Sequence, residues 1–186
     1  MMSSEEPAGT GMSGDMKRVV REQRLGFVAT VCPDGTPNLS PKGTTRVWRD
    51  DHLVFCDLMS PGTVENLRTN SGVEVNVVDP FARKGYRFKG SAKVLAEGAL
   101  FEEILAFYQN GEPPMPDARA RIRHIVLVKV ERALPLFSPA YDLGQTEDVI
   151  RTAWWNHFNA LQRQCVAGTG GRSQPGSSIQ MEPEEL

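Results

Sequence analysis

The sequence predicts a mainly β protein, a small antiparallel barrel of about six strands with a few helices, most of them near the ends. Three observations carry this. Short runs rich in valine, phenylalanine and threonine follow one another in hairpin order. An Asp34-Gly35 pair separates the first two runs, as in a tight hairpin turn. No Gly-x-Gly-x-x-Gly or P-loop sequence follows any run, which argues against a βαβ nucleotide fold.

Taken in order, Met16–Arg24 reads as a short helix and Leu25–Val31 as the first strand. The turn Cys32–Pro37 leads into a returning strand, Asn38–Trp48, and a turn at Arg49–Asp51 into the strand His52–Asp57. After Ser60-Pro61-Gly62 comes a short helix, Thr63–Asn70, then the strand Val73–Asp79. Tyr86–Leu95 alternates well and is a strand. Ala99–Gln109 has apolar residues at helical spacing and stops at Asn110-Gly111. His124–Val130 is the last strand. Thr146–Gln164 closes the fold as a helix with Glu147 and Asp148 beside the positive end of its dipole.

The 186 residues suit one domain, with 40% hydrophobic and 24% charged residues. Residues 1–14 and 165–186 are rich in Ser, Gly and Glu and hold little to bury, so both read as disordered tails around a domain of residues 15–164. Net charge is −2 and the pI near 6.0, which excludes a global field for nucleic acid or anionic membrane. Any anion site must be local. Cys32, Cys56 and Cys165 are odd in number and far apart, which fits a reducing compartment. With no signal-like segment and no long apolar run, the chain reads as cytoplasmic.

The most informative stretch is Asn38–Trp48. Alternation along a strand puts Ser40, Lys42, Thr44 and Arg46 on one face, two hydroxyls interleaved with two cations. A phosphate needs fixed charge plus several donors, and this face offers both. It also fits a solvated edge strand, which Pro41 would suit, and the residues alone leave both readings open. One hairpin later, Ser60-Pro61-Gly62-Thr63 resembles a helix start, where free N–H groups and hydroxyls can hold a phosphate or simply cap the helix. Ala82–Gly90 mixes Arg83, Lys84, Arg87 and Lys89 with aromatics, either a solvated face or, less in keeping with the net charge, a single-strand nucleic-acid site.

His52, His124 and His157 are too isolated for a metal triad, and no nucleophile–base pair can be argued. No catalytic residue is assigned. Glu102–Glu103 reads as the wet face of its helix. Trp154, Trp155 and Phe158 read as core or interface, with a place beside a ligand ring as the alternative.

In order, FVATVCPDGTPNLSPKG, LVFCDLMSPGTVENLRTNSGVEVNVVDP and RKGYRFKGSAKVL resemble the pyridoxamine 5'-phosphate oxidase-like family, and FSPAYDLG resembles the end of its small members. The resemblance implies a six-stranded, homodimeric split barrel that binds flavin mononucleotide (FMN) at the subunit interface. It implies that Ser40, Lys42, Gly43 and Thr44 meet the phosphate and ribityl chain and that Arg46 stands where the family has a flavin-contacting lysine. Ser60, Gly62 and Thr63 fall on its phosphate loop, with Pro-Gly-Thr where the name-giving oxidase has basic residues. Lys84, Gly85 and Arg87 match the part that reaches the flavin ring, Gly85 replacing a glutamine. The Arg-x-His motif that the name-giving oxidase uses for its substrate is missing from residues 146–186. The resemblance thus implies a flavin-dependent oxidoreductase of unknown substrate other than pyridoxamine phosphate. A deazaflavin-dependent reductase and a non-catalytic flavin sensor are the alternatives.

Overall fold

A computed structural model describes residues 11–169, with side chains through Gln164. The elements are α1 (Gly14–Gln23), β1 (Gly26–Val31), β2 (Pro37–Lys42), β3 (Arg46–Trp48), β4 (His52–Asp57), α2 (Pro61–Thr69), β5 (Gly72–Asp79), β6 (Lys84–Leu95), α3 (Ala99–Asn110), α4 (Ala118–Arg121), β7 (His124–Phe137) and α5 (Glu147–Thr169). The seven strands form one antiparallel sheet in the order β2-β1-β5-β6-β7-β4-β3. This is the expected split barrel with one strand more than expected.

The extra strand comes from the stretch read as one. Asn38–Trp48 breaks at Gly43–Thr45, so β2 and β3, neighbours in sequence, stand at opposite edges of the sheet. The crossing is held by hydrogen bonds. Thr45 Oγ1 donates to the Lys42 carbonyl at 2.8 Å, the Cys56 N–H donates to Thr44 Oγ1 at 2.9 Å, and the Tyr108 hydroxyl donates to the Thr44 carbonyl at 2.7 Å. The single face of Ser40, Lys42, Thr44 and Arg46 therefore does not exist as such.

Two apolar clusters divide the interior. One fills the barrel with Val28, Phe55, Val75, Phe88 and Val128, and Val19 and Val20 of α1 plug one side of it. The other lies between the back of β4 and β7 and the helices α3 and α4, around Ile104, Leu105, Tyr108 and Ile125. β4 is buried on both faces, with Leu53 and Phe55 in the first cluster and Val54 and Cys56 in the second. That accounts for its unbroken apolar run.

Packed residues are found before Asp15. Met12 is buried in the barrel cluster, and Ser13 caps α1 by accepting from the Met16 N–H. The terminal stretches 1–10 and 170–186, read above as tails, lie outside the described residues. β7 runs seven residues past the expected Val130, bending with β6 through a bulge between Lys89 and Gly90. Trp154, Trp155 and Phe158 join neither apolar cluster; Trp155 stays 58% exposed and packs with Phe158 on Phe81. Among the described residues no helix is long and apolar enough to cross a membrane.

A Cβ at Gly90 would overlap the Lys129 carbonyl oxygen across the bulge. Gly90→Ala should therefore cost roughly 1–3 kcal/mol and lower Tm by several degrees, as read by thermal unfolding. An unchanged Tm would mean that the bulge relaxes freely.

Candidate functional site

The crossing from β2 to β3 borders a cavity of about 730 Å³, within the range of roughly 300–1,000 Å³ usual for cofactor sites. Lys42, Gly43 and Thr44 form one wall, Cys56 and Ser60 a second, and Arg121 and Arg123 a third. Lys42 is buried to 4% exposure and its ammonium has one close partner, Ser40 Oγ at 2.5 Å. Among the described residues no carboxylate pairs with it directly. Burial lowers its pKa, opposed in part by the field of Asp57. A buried cation without a counter-ion, lining a cavity, is arranged to receive an anion.

The opposite wall carries donors. Ser60 stands at the N-cap of α2, yet its hydroxyl makes no capping bond and Pro61 follows at the first helical position. Space beside Gly62 is open. The Ser60 N–H is spent on Asp57 Oδ1 at 2.8 Å, which seats the start of the helix. Asp57 is itself buried, and its second oxygen meets His124 Nδ1 at 3.1 Å while His124 Nε2 meets Arg68 of α2 at 3.0 Å. A guanidinium can only donate, so Nε2 accepts and Nδ1 carries the proton toward Asp57. The chain Asp57–His124–Arg68 thereby locks α2 onto β4 and β7.

Arg121 and Arg123 were not singled out in the sequence. They flank Ile122, which is buried among the α3 and α4 side chains, and the Arg123 N–H bonds the Asp57 carbonyl at 3.1 Å. The apolar anchor between two arginines was the available signal: in extended backbone, i and i+2 leave the core together. They add cations to a cavity whose helix start has none.

Burial pushes the Cys56 thiol up to about 12, so it stays protonated near neutral pH. Among the described residues no group of three or more His, Cys, Asp or Glu side chains could hold a metal.

The other expected site residues lie apart from this cavity or at its margin. Arg46 donates to the Pro113 carbonyl at 2.7 Å, stacks on the Tyr108 ring at 4.7 Å, and lines a smaller cavity of about 230 Å³ that shares Gly43, Thr44, Met115 and Arg121 with the larger one. Thr63 is buried in α2. Lys84 pairs with Glu147 of α5 at 2.8 Å, and Arg151 links Glu147 and Asp79 at 2.9 and 2.7 Å. The Lys84 and Arg151 bonds hold the Glu147 carboxyl below its usual value. Arg87 pairs with Glu74 at 3.0 Å on the outer sheet face. A side chain at Gly85 would run into the β5 backbone at Val77 and Val78, so no longer residue, glutamine included, fits there without moving β5.

A family model described as pyridoxamine 5'-phosphate oxidase matches residues 12–133. HupZ of Group A Streptococcus is 30% identical in a match covering 68% of this chain and 95% of that one, with a TM-score of 0.59. An FMN-binding protein of Syntrophomonas wolfei superposes with a TM-score of 0.53 at 16% identity, over 64% of this chain and 82% of that one. A pyridoxamine 5'-phosphate oxidase-related, FMN-binding protein of Nostoc punctiforme does so with 0.51 at 15%, over 68% and 85%. These last two are likenesses of fold. No curated protein matches the chain.

The state of Lys42 gives a sign that can be measured. The unfolded chain holds this proton more tightly than the fold does, so stability contributed at Lys42 rises with pH between the lowered folded value and lysine's ordinary one. Lys42→Met should raise the Tm of the ligand-free protein, by about 2–4 °C for each kcal/mol gained, and flatten that alkaline rise. A lowered Tm would show that the cation stabilises the empty site.

Proposed function

The chain belongs to the pyridoxamine 5'-phosphate oxidase family, and from that premise we propose that it is a homodimeric FMN-dependent oxidoreductase. The flavin supplies the hydride or electron chemistry when bound. What carries the reading is Lys42, a buried cation on the wall of a cofactor-sized cavity and without a carboxylate partner among the described residues. Its ammonium is the central phosphate contact. Ser40 orients it, and the Ser60 hydroxyl and the N–H groups of Gly62 and Thr63 at the start of α2 close from the other side. Gly43 and Thr44 line the path of the ribityl chain. Asp57, His124 and Arg68 act through position alone, by fixing α2.

The ring contacts come from the second subunit. Lys84, Gly85 and Arg87 lie outside the phosphate cavity of their own chain. Gly85 offers main chain only, since the β5 backbone fills its side-chain space. The outer face of β1 and β2 carries Phe27, Val31 and Leu39, the last 65% exposed, and Phe27 stands in register beside Asn76 and Arg87. Asn76 Oδ1 is buried there and has no hydrogen-bond partner among the described residues. An apolar strip with an orphaned acceptor suits a covered surface better than a wet one. Arg46 takes a different part from the one the resemblance implies. It supports the crossing by its bonds to Pro113 and Tyr108.

The purified protein, denatured, should release a ligand with the mass of FMN, and sedimentation should show a dimer; a deazaflavin mass, or a monomer that binds flavin stoichiometrically, would refute the corresponding part. Lys42→Met should weaken FMN about 10-fold to 150-fold, since a hydrogen bond to a charged group is worth roughly 1.5–3 kcal/mol, and leave riboflavin unchanged. Arg46→Ala should lower Tm and shift both ligands together. Equal loss of the two ligands in Lys42→Met would move the phosphate elsewhere. Pyridoxamine phosphate should turn over very slowly, because residues 146–186 lack the Arg-x-His pair.

A further inference from the structure

We infer that Lys42 is also a nucleophile: in the flavin-free protein its amine condenses with the aldehyde group of a small acid to form an imine. This reactivity is independent of the flavin reading above. A lysine reacts in this way when burial disfavours its charged form and a carbonyl compound can reach its nitrogen. Lys42 meets both conditions. It is buried in the fold yet lines a cavity of about 730 Å³. Desolvation lowers its pKa, and Asp57 opposes this only through its field, because no carboxylate among the described residues pairs with Lys42 directly. The other lysines are kept charged. Lys17 pairs with Asp50 at 2.6 Å and Lys84 with Glu147 at 2.8 Å, and the bond from Glu147 raises the Lys84 pKa. Lys89, Lys93 and Lys129 stand exposed on the sheet, where the ammonium keeps its water.

The step balances without an oxidant or reductant. The Nζ lone pair forms a C–N bond to the carbonyl carbon, and one nitrogen proton passes to the carbonyl oxygen. The resulting hydroxyl then leaves with the second nitrogen proton as water while the C=N bond forms. Ser40 Oγ, 2.5 Å from Nζ, can both accept and donate, so it serves the charged and the neutral amine and can relay these protons. The cavity also selects its aldehyde. Arg123 lines another of its walls and has no ion-pair partner among the described residues. A guanidinium there favours an aldehyde that carries a carboxylate.

The test incubates the full-length, flavin-free protein near neutral pH with succinic semialdehyde and cyanoborohydride, which reduces an imine to a stable secondary amine. Peptide masses then locate the adduct. Lys42 should be trapped about 10-fold faster than any exposed lysine, since those stay charged near neutral pH. Butanal, the same chain without the carboxylate, should react at Lys42 about 10-fold more slowly, and Arg123→Gln should remove that difference. Excess FMN should protect Lys42 by filling the cavity. Lys42→Arg, which keeps the charge and forms no imine, should lose the adduct and keep the wild-type Tm. Trapping at Lys42 no faster than at the exposed lysines overturns the nucleophile. So does an adduct that still forms while FMN is bound, since the amine would then be reached from outside the cavity. Equal rates for the two aldehydes overturn the selection of an acid. If FMN fails to bind while Lys42 is trapped selectively, the flavin reading falls and the nucleophile stands; if FMN binds and Lys42 is inert, the reverse holds.

Discussion

The pair of hydrogen bonds at Thr44 is what the rest of this molecule turns on. The hydroxyl ties the crossing peptide to β4 through Cys56, and the carbonyl ties it to α3 through Tyr108. Both are made where water is scarce, Tyr108 and Cys56 being buried, so leaving either group unpaired would cost about 1–3 kcal/mol. With the crossing pinned, the chain can pass from one edge of the sheet to the other without a strand between. Lys42 is left on one side of the pinned ridge and Arg46 on the other. Two cationic compartments result from one turn of chain.

The fold was largely legible in the sequence because hairpin order and turn residues report local pairing. Tyr86–Leu95 and the Asp34-Gly35 turn are examples, with β6 running Lys84–Leu95. The break at Gly43 was not legible. Lys-Gly-Thr-Thr can continue a strand as easily as end one, and what ends it is tertiary, the burial of Thr45 and the bonds to Cys56 and Tyr108. The length of β7 was hidden for a similar reason, since Glu131-Arg132 looks like a stop and only pairing with β6 carries it through.

Site residues divide in a similar way. Lys42, Gly43, Thr44 and Ser60, which the sequence singles out, meet at one cavity. Arg121 and Arg123 come from a segment some 80 residues away and could be placed only through the burial of Ile122. The aromatic residues on α5, read as core or interface, join neither core cluster, and Arg83, over the Trp154 ring at 4.2 Å, and Phe81 pack against them.

β2 is an edge strand, and it begins with Pro37 and carries Pro41. A proline has no N–H to give β1, so both occupy positions where a strand's donors face away from its neighbour, and Leu39 shares that orientation. Along the open edge the residues that would offer donors outward are thus reduced to one. A foreign strand laid against this edge finds little to pair with, although apolar side chains stand exposed beside it. The molecule is shielded from growing by strand addition into fibrils while that face remains free to meet another surface.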